Sequence, residues 1–141
     1  MKKSIEVVAA IIRRSDPQQG DTFLAAERGY GEFRGWWEFP GGKMEPGETQ
    51  AEAIEREIRE ELGMQVAAER LLCTVECDYP AFHLTMHCLL CRISEDQPHR
   101  LEHDALRWVT LDEAASLRWL PADVEALEAL GNLKNGGNTG I

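Results

Sequence analysis

The sequence predicts an α/β domain built on a central mixed β-sheet, and three observations carry that reading. Apolar or alternating runs recur at residues 4–13, 22–28, 66–77, 82–93 and 106–110, each bounded by turn residues. One stretch, 49–62, lacks Gly and Pro and is rich in Ala, Glu, Arg and Ile, the mark of a helix. A length of 141 residues with 43% hydrophobic content is enough for one domain with a substantial core.

Taken in order, the first strand ends at the turn cluster Asp16-Pro17-Gln18-Gln19-Gly20-Asp21, so 22–28 reads as the returning strand of a hairpin. Residues 29–37 mix glycines and aromatics into a loop that carries Trp36 and Trp37, which stack a base or fill the core edge. Residues 39–48 are too dense in Gly and Pro for a regular element. The helix that follows stops at Gly63, a glycine C-terminal cap. Two strands joined through Asp78-Tyr79-Pro80 come next, then a shorter one. A short helix starts at Leu111 with an acidic first turn, and a second spans 121–130 with Pro121 at its first position. Residues 131–141, rich in Asn and Gly, read as a flexible tail outside a domain of residues 1–130.

A formal charge of −10, from 25 acidic against 15 basic residues, argues against a nucleic acid polymer as partner. Any phosphate bound by such a chain needs a metal. The longest apolar run, 7–12, is too short to span a bilayer, and Glu6 interrupts what would pass for a leader after Lys2 and Lys3; a cytoplasmic protein without a membrane partner is expected. Cys73, Cys77, Cys88 and Cys91 lie in strand-like sequence that would turn Cys88 and Cys91 to opposite faces, so buried reduced thiols are expected rather than a zinc site. His83 and His87 share one strand face with no carboxylate or Cys in matching register, and read as strand or pocket-wall residues.

The chemistry concentrates between Glu45 and Glu61, where seven carboxylates stand beside only Arg56 and Arg59. At about 100° per residue, Glu60 and Glu61 flank Glu57 on one helix edge, while Ala51, Ile54, Ile58 and Leu62 gather on the adjoining face. A solvated face would look similar. However, Glu57 and Glu61 are a like-charge i,i+4 pair, and with Glu60 they occupy the last turns, where the helix dipole disfavours anions. A hard divalent ion such as Mg2+ or Mn2+, bridging to a substrate phosphate, would relieve that repulsion.

Gly42, then Glu48, then Arg56-Glu57-Ile58-Arg59-Glu60-Glu61-Leu62-Gly63-Met64 resembles the Nudix box at every defined position, and Trp37-Glu38-Phe39-Pro40-Gly41-Gly42-Lys43 resembles its MutT-like branch. The likeness extends to about Leu130. It implies the Nudix fold, an α/β/α sandwich, and Mg2+-dependent hydrolysis of a nucleoside triphosphate to monophosphate and pyrophosphate, with Mn2+ as substitute and a monomer or homodimer as the assembly. By position, Glu57, Glu60 and Glu61 correspond to the metal-binding and base-forming glutamates, and the Gly41 carbonyl to a backbone metal ligand. Which glutamate acts as base varies within the family. Arg56 and Glu48 correspond to the structural ion pair of the box, and Glu102 to an additional loop acid that serves as ligand or base. Arg28 is a candidate for holding a phosphate oxygen.

In the same family, Asp123 falls at the base-contacting position of the C-terminal element, where the oxidised-guanine enzyme has Asn. Glu38 corresponds to a second base-contacting acid, with Phe39 and Pro40 beside it. An ionised Asp only accepts hydrogen bonds, so it suits an exocyclic amino group and opposes guanine O6 unless protonated. The expected substrate is therefore (d)CTP or a modified cytosine nucleotide, with 8-oxo-dGTP second and a non-catalytic nucleotide sensor as the alternative of another class.

Overall fold

The first strand, β1 (Lys3–Asp16), alternates so strictly that it sorts the interior into two cores. In the computed structural model, which describes residues 3–95 and 103–135, Val8, Ala10 and Ile12 enter one core while Ala9 and Ile11 enter the other. The elements that follow are β2 (Gly20–Arg28), β3 (Trp37–Glu38), β4 (Gly41–Lys43), α1 (Gln50–Leu62), β5 (Gln65–Asp78), β6 (Phe82–Glu95), β7 (His103–Val109), α2 (Leu111–Ala114) and α3 (Pro121–Asn135).

The strands form one mixed sheet with the main path β3-β2-β1-β6-β5; β4 also pairs with β1, and β7 with β2. β1 and β6 run parallel from Lys3 opposite Phe82 to Arg13 opposite Arg92, and the other strand pairs are antiparallel. α1 covers one face, burying Ala53, Ile54, Ile58 and Leu62 against Val8, Ala10, Leu24 and Leu89. On the opposite face, Ala114 of α2 and Ala122, Ala126 and Leu130 of α3 join Ile11, Phe23, Met86 and Cys88. This is the expected α/β/α sandwich.

α1 is fixed at both ends. Thr49 Oγ1 accepts from the Glu52 amide at 3.1 Å while Glu52 accepts from the Thr49 amide at 2.9 Å, a reciprocal cap. Gly63 closes the other end in the left-handed region, at φ 63°, where a side chain would be strained.

Strands β1, β2 and β7 run two or three residues past their expected bounds at one end, and three further differences have an identifiable reason. The Gly-rich stretch is not wholly irregular: Gly41–Lys43 pairs with β1 because Gly41 has no Cβ, and one placed there would run into the Val8 carbonyl. Trp37–Glu38 pairs with β2 as a second short strand. The last helix continues to Asn135, five residues beyond its expected end at Leu130, because Leu130 stays buried and Leu133 still packs on the core despite Gly131. Among the described residues no helix is long and apolar enough to cross a membrane.

Ile58 is fully buried at the centre of the α1 core. Ile58→Ala is expected to lower unfolding free energy by about 2–5 kcal/mol. Urea titration checks this; a loss under about 1 kcal/mol would mean that α1 is not seated on the sheet as described.

Candidate active site

The acidic edge of α1 is organised around one guanidinium. Arg56 meets Glu48 through two bonds, Nε to Oε2 at 2.6 Å and Nη2 to Oε1 at 2.9 Å. Nη1 reaches Glu57 at 2.9 Å and Glu60 at 3.1 Å, and Nη2 donates to the Lys43 carbonyl at 3.0 Å. Glu48 also accepts from the Glu45 amide, so the arginine ties the β4–α1 loop to the helix. The Arg56 fork, and then the Glu45 amide, hold the Glu48 carboxyl below the usual carboxylate range. The expected Arg56–Glu48 pair is present, and it is the hub of a network.

Glu57 lies over Gly42, where a Cβ would collide with its carboxylate. Gly42 in turn lines a cavity of about 250 Å3, so the acidic edge adjoins that cavity through a glycine. The cavity is bounded by Val7, Val8, Ala9, Gly41 and Lys43 from β1 and β4, by Arg28, Phe33, Glu38 and Phe39, and by Tyr79, Phe82, Leu84 and Met86 from the β5–β6 end. Leu120, just before α3, and Ala122 and Asp123 in its first turn close it.

Backbone pairing explains how residues 38 and 123 meet. The Trp37 amide donates to the Arg118 carbonyl at 2.7 Å and the Leu120 amide to the Trp37 carbonyl at 2.9 Å, locking the entry to α3 onto β3. Phe39 packs on Trp119 with ring centroids 4.8 Å apart, and the Phe39 amide donates to Asp123 Oδ1 at 2.9 Å. Asp123 is 5% exposed. Burial pushes its carboxyl up to about 8, although the Phe39 amide opposes that shift.

Of the residues nominated from sequence, Arg28, Glu38, Phe39, Gly41 and Asp123 line this one cavity. Glu57 borders it across Gly42, Glu60 shares the Arg56 fork, and Glu61 is half-buried in the same last turns. Arg28 is not aimed freely at a phosphate: Nε and Nη2 grip Glu38 at 3.2 and 2.7 Å across neighbouring strands. Pro40 is absent from the lining; its carbonyl accepts from the Ala10 amide at 2.8 Å. Glu102 lies outside the described residues. Trp37 is core, Trp36 packs on Phe33 and Arg118, and neither lines the cavity.

The aromatic wall formed by Phe33, Tyr79 and Phe82 had no sequence signal beyond turn composition. Tyr79 stacks on Phe82 at 4.9 Å, its hydroxyl accepts from the Ala122 amide at 3.4 Å, and burial raises its pKa to about 12. The histidines are a correction, because carboxylates do lie in register with them. His83 bridges Asp78 at 2.8 Å and Glu76 at 2.7 Å, and His87 meets Glu6 at 2.6 Å, pairings that exist only once β1, β5 and β6 are assembled. The cysteines are free, but only Cys88 and Cys91 are buried; Cys73 and Cys77 are half-buried.

The sequence model of the NUDIX domain matches residues 4–130, nine-tenths of the chain. The chain belongs to the Nudix family. It is 36% identical to the CTP pyrophosphohydrolase of Escherichia coli strain K12 over 90% of this chain and 91% of that protein. It is also 36% identical to the putative 8-oxo-dGTP diphosphatase 2 of Mycobacterium tuberculosis strain H37Rv, over 96% and 94%. The solution structure of the E. coli ORF135 protein superposes with a TM-score of 0.81 at 34% identity, covering 97% of this chain and 95% of that one. The chain is therefore a Nudix hydrolase whose relatives act on nucleoside triphosphates.

Nudix hydrolases generally use a divalent metal such as Mg2+. The residues here fit one: carboxylates with a backbone carbonyl form a hard oxygen donor set, and Gly42 leaves the room that the Glu57 carboxylate needs beside the cavity. Among the described residues no ready-made group of three metal-binding side chains is assembled. Arg56 supplies positive charge at Glu57 and Glu60.

Two predictions follow from this geometry. Folding raises the Asp123 pKa from 3.8 to about 8, so between those values the folded protein holds a proton that the unfolded chain releases. The Asp123 contribution therefore favours folding at low pH and is lost as pH rises to about 8. Asp123→Asn keeps the acceptor for Phe39 without that titration, so denaturation from pH 5 to 8 should show the variant gaining on wild type with rising pH; parallel curves would refute the burial. Gly42→Ala should displace Glu57 and weaken Mg2+ or Mn2+ binding about tenfold or more, read by isothermal calorimetry; unchanged affinity would separate Glu57 from the metal.

Proposed function

We propose that this Nudix hydrolase is a cytoplasmic Mg2+-dependent pyrophosphohydrolase of cytosine nucleotides, (d)CTP or a modified form. Two acids in one cavity carry the reading, with one correction to the sequence-based expectation: burial favours protonated Asp123, a donor, so the acceptor for the amino group is Glu38 instead. Arg28 grips Glu38 and orients it as an acceptor, while buried Asp123 is driven toward its neutral form. Cytosine presents an exocyclic amino donor beside a ring-nitrogen acceptor. Glu38 can take the amino hydrogen, and the Asp123 hydroxyl can donate to the ring nitrogen. Phe39 borders the base and the wall from Phe33 to Phe82 excludes water. The E. coli relative named CTP pyrophosphohydrolase supports this choice.

Glu57, Glu60, Glu61 and the Gly41 carbonyl would hold Mg2+, with Mn2+ as substitute and Glu102 as an additional ligand or base. When bound, the ion supplies charge neutralisation on the phosphate oxygens and acidifies water. The chain's own work is to orient and to move a proton. Arg56 holds Glu48 and the Lys43 carbonyl so that the loop stays in place, and one glutamate takes the proton from the attacking water.

Hydrolysis of 8-oxo-dGTP is the second reading, favoured by one observation: Asp123 pushed up to about 8 is a donor that guanine O6 would accept. Initial rates with CTP, dCTP, 5-methyl-dCTP and 8-oxo-dGTP at matched concentrations decide between them. The cytosine reading predicts kcat/KM at least about tenfold higher for the cytosine series, a difference of about 1.4 kcal/mol in transition-state binding; the reverse order would overturn it. Glu57→Gln and Glu61→Gln should each lower kcat by about a thousandfold, with pyrophosphate release as the readout. Tight nucleotide binding without pyrophosphate release by the wild-type protein would instead indicate a sensor.

A further inference from the structure

Strand register sets two cysteines face to face. Cys73 on β5 is directly opposite Cys88 on β6, next to Thr74 opposite His87. Both thiols lie on the α3 side: Cys88 is buried in the cluster that includes Ala122 and Ala126, and Cys73 packs against that cluster while remaining half-exposed. Strand pairing thus brings the two side chains onto one face of the sheet, against one core. No other pair among the four cysteines is arranged this way. Cys77 faces Leu84, and Cys91 faces Ala68 and belongs to the opposite core. Cys77 also stands four residues along β5 from Cys73, a distance of about 13 Å that keeps it from the Cys88 thiol.

We propose that Cys73 and Cys88 are a reversible redox pair that closes to a disulfide across β5 and β6 in the presence of a hydroperoxide, re-seating α3 and lowering nucleotide affinity. Exposure assigns the order of events. The Cys73 thiolate attacks the peroxide oxygen, forming a sulfenic acid as the O–O bond breaks and the other oxygen leaves as water or an alcohol. The Cys88 thiol then displaces hydroxide from the sulfenic sulfur; its proton leaves with that hydroxide as a second water, and the S–S bond forms. The peroxide gains the two electrons that the thiols lose. Cys73 is the half-exposed thiol of the pair, while Cys88 is buried with its Sγ donating to the Met86 carbonyl, so Cys73 is the group a peroxide reaches first.

Directly opposed residues in antiparallel strands have Cβ atoms about 4.5–5.5 Å apart. A disulfide needs about 3.5–4.5 Å. Closure therefore draws the strands together beneath Ala122 and Ala126, and the strain leaves the bond readily reduced. The same helix carries Asp123 into the cavity, and the Tyr79 hydroxyl links the end of β5 to the Ala122 amide. The affinity effect rests on the reading of Asp123 as a nucleotide contact; formation of the disulfide does not.

The test separates the two. Purified full-length protein is treated with hydrogen peroxide, capped with an alkylating agent, and digested unreduced with Glu-C and chymotrypsin, which together cut between all four cysteines. The expected product is one intramolecular Cys73–Cys88 cross-link with the loss of two hydrogens, absent in Cys73→Ser and Cys88→Ala and retained in Cys77→Ser. A cross-link between other cysteines or between chains, or over-oxidation of Cys73 without a cross-link, would overturn the pair; because mapping uses wild-type protein, a poorly folding variant does not weaken it. The KM of the oxidised enzyme, measured on whichever triphosphate the reduced enzyme turns over best, should rise about fivefold and recover with dithiothreitol. An unchanged KM with the cross-link mapped would overturn the link to the nucleotide site alone.

Discussion

One guanidinium makes the acidic end of this molecule feasible. Arg56 is largely buried, with 14% of its side chain exposed, and spreads its donors over Glu48, Glu57, Glu60 and a loop carbonyl. Carboxylates at this density on the last turns of a helix repel one another and the dipole alike. The bidentate grip on Glu48 and the bond to the Lys43 carbonyl fix the loop, and the loop fixes Gly41 and Gly42 against β1 and Glu57. A lysine could not replace it, since a point charge has no planar fork with which to hold two carboxylate oxygens and a third partner at once.

Architecture divides the site into two regions with opposite electrostatics. On the α1 side, Glu48 and Glu57 are largely buried, Glu60 is exposed and all three are paired by one arginine, a set of hard oxygens that suits a cation. Between the sheet and α3, Asp123 has lost its water and sits among Phe39, Leu120 and Met86, which suits an uncharged base. Gly42 is the seam between them. The Arg28–Glu38 pair lines the second region beside Asp123, so the charge there is held in an ion pair across two strands.

Much of this was legible in the sequence, for identifiable reasons. β1, α1 and β6 have the periodicities that burial on two faces or one stripe demands, and the acidic edge follows from helical geometry together with an unusual charge placement. Glycine density hid β3 and β4, since pairing with an existing strand can hold two or three residues extended without any local preference. The role of Arg28 was hidden for another reason: its partner Glu38 is opposite Ala26, and that register does not exist until β2 and β3 pair. Tyr79 and the histidine–carboxylate contacts were equally invisible, because each joins elements that meet only in the finished sheet.

The parallel pairing of β1 with β6 also has a temporal side. Residues 3–13 find their neighbours among residues 82–92, so some seventy intervening residues must be made before the central ladder can close. At about 5–20 residues per second of synthesis, the apolar run from Val7 to Ile12 waits several seconds on the ribosome with one edge open. The nascent chain during that interval presents a hydrophobic strand followed by a highly charged helix. Association between nascent chains is thus opposed by the negative charge that the helix carries.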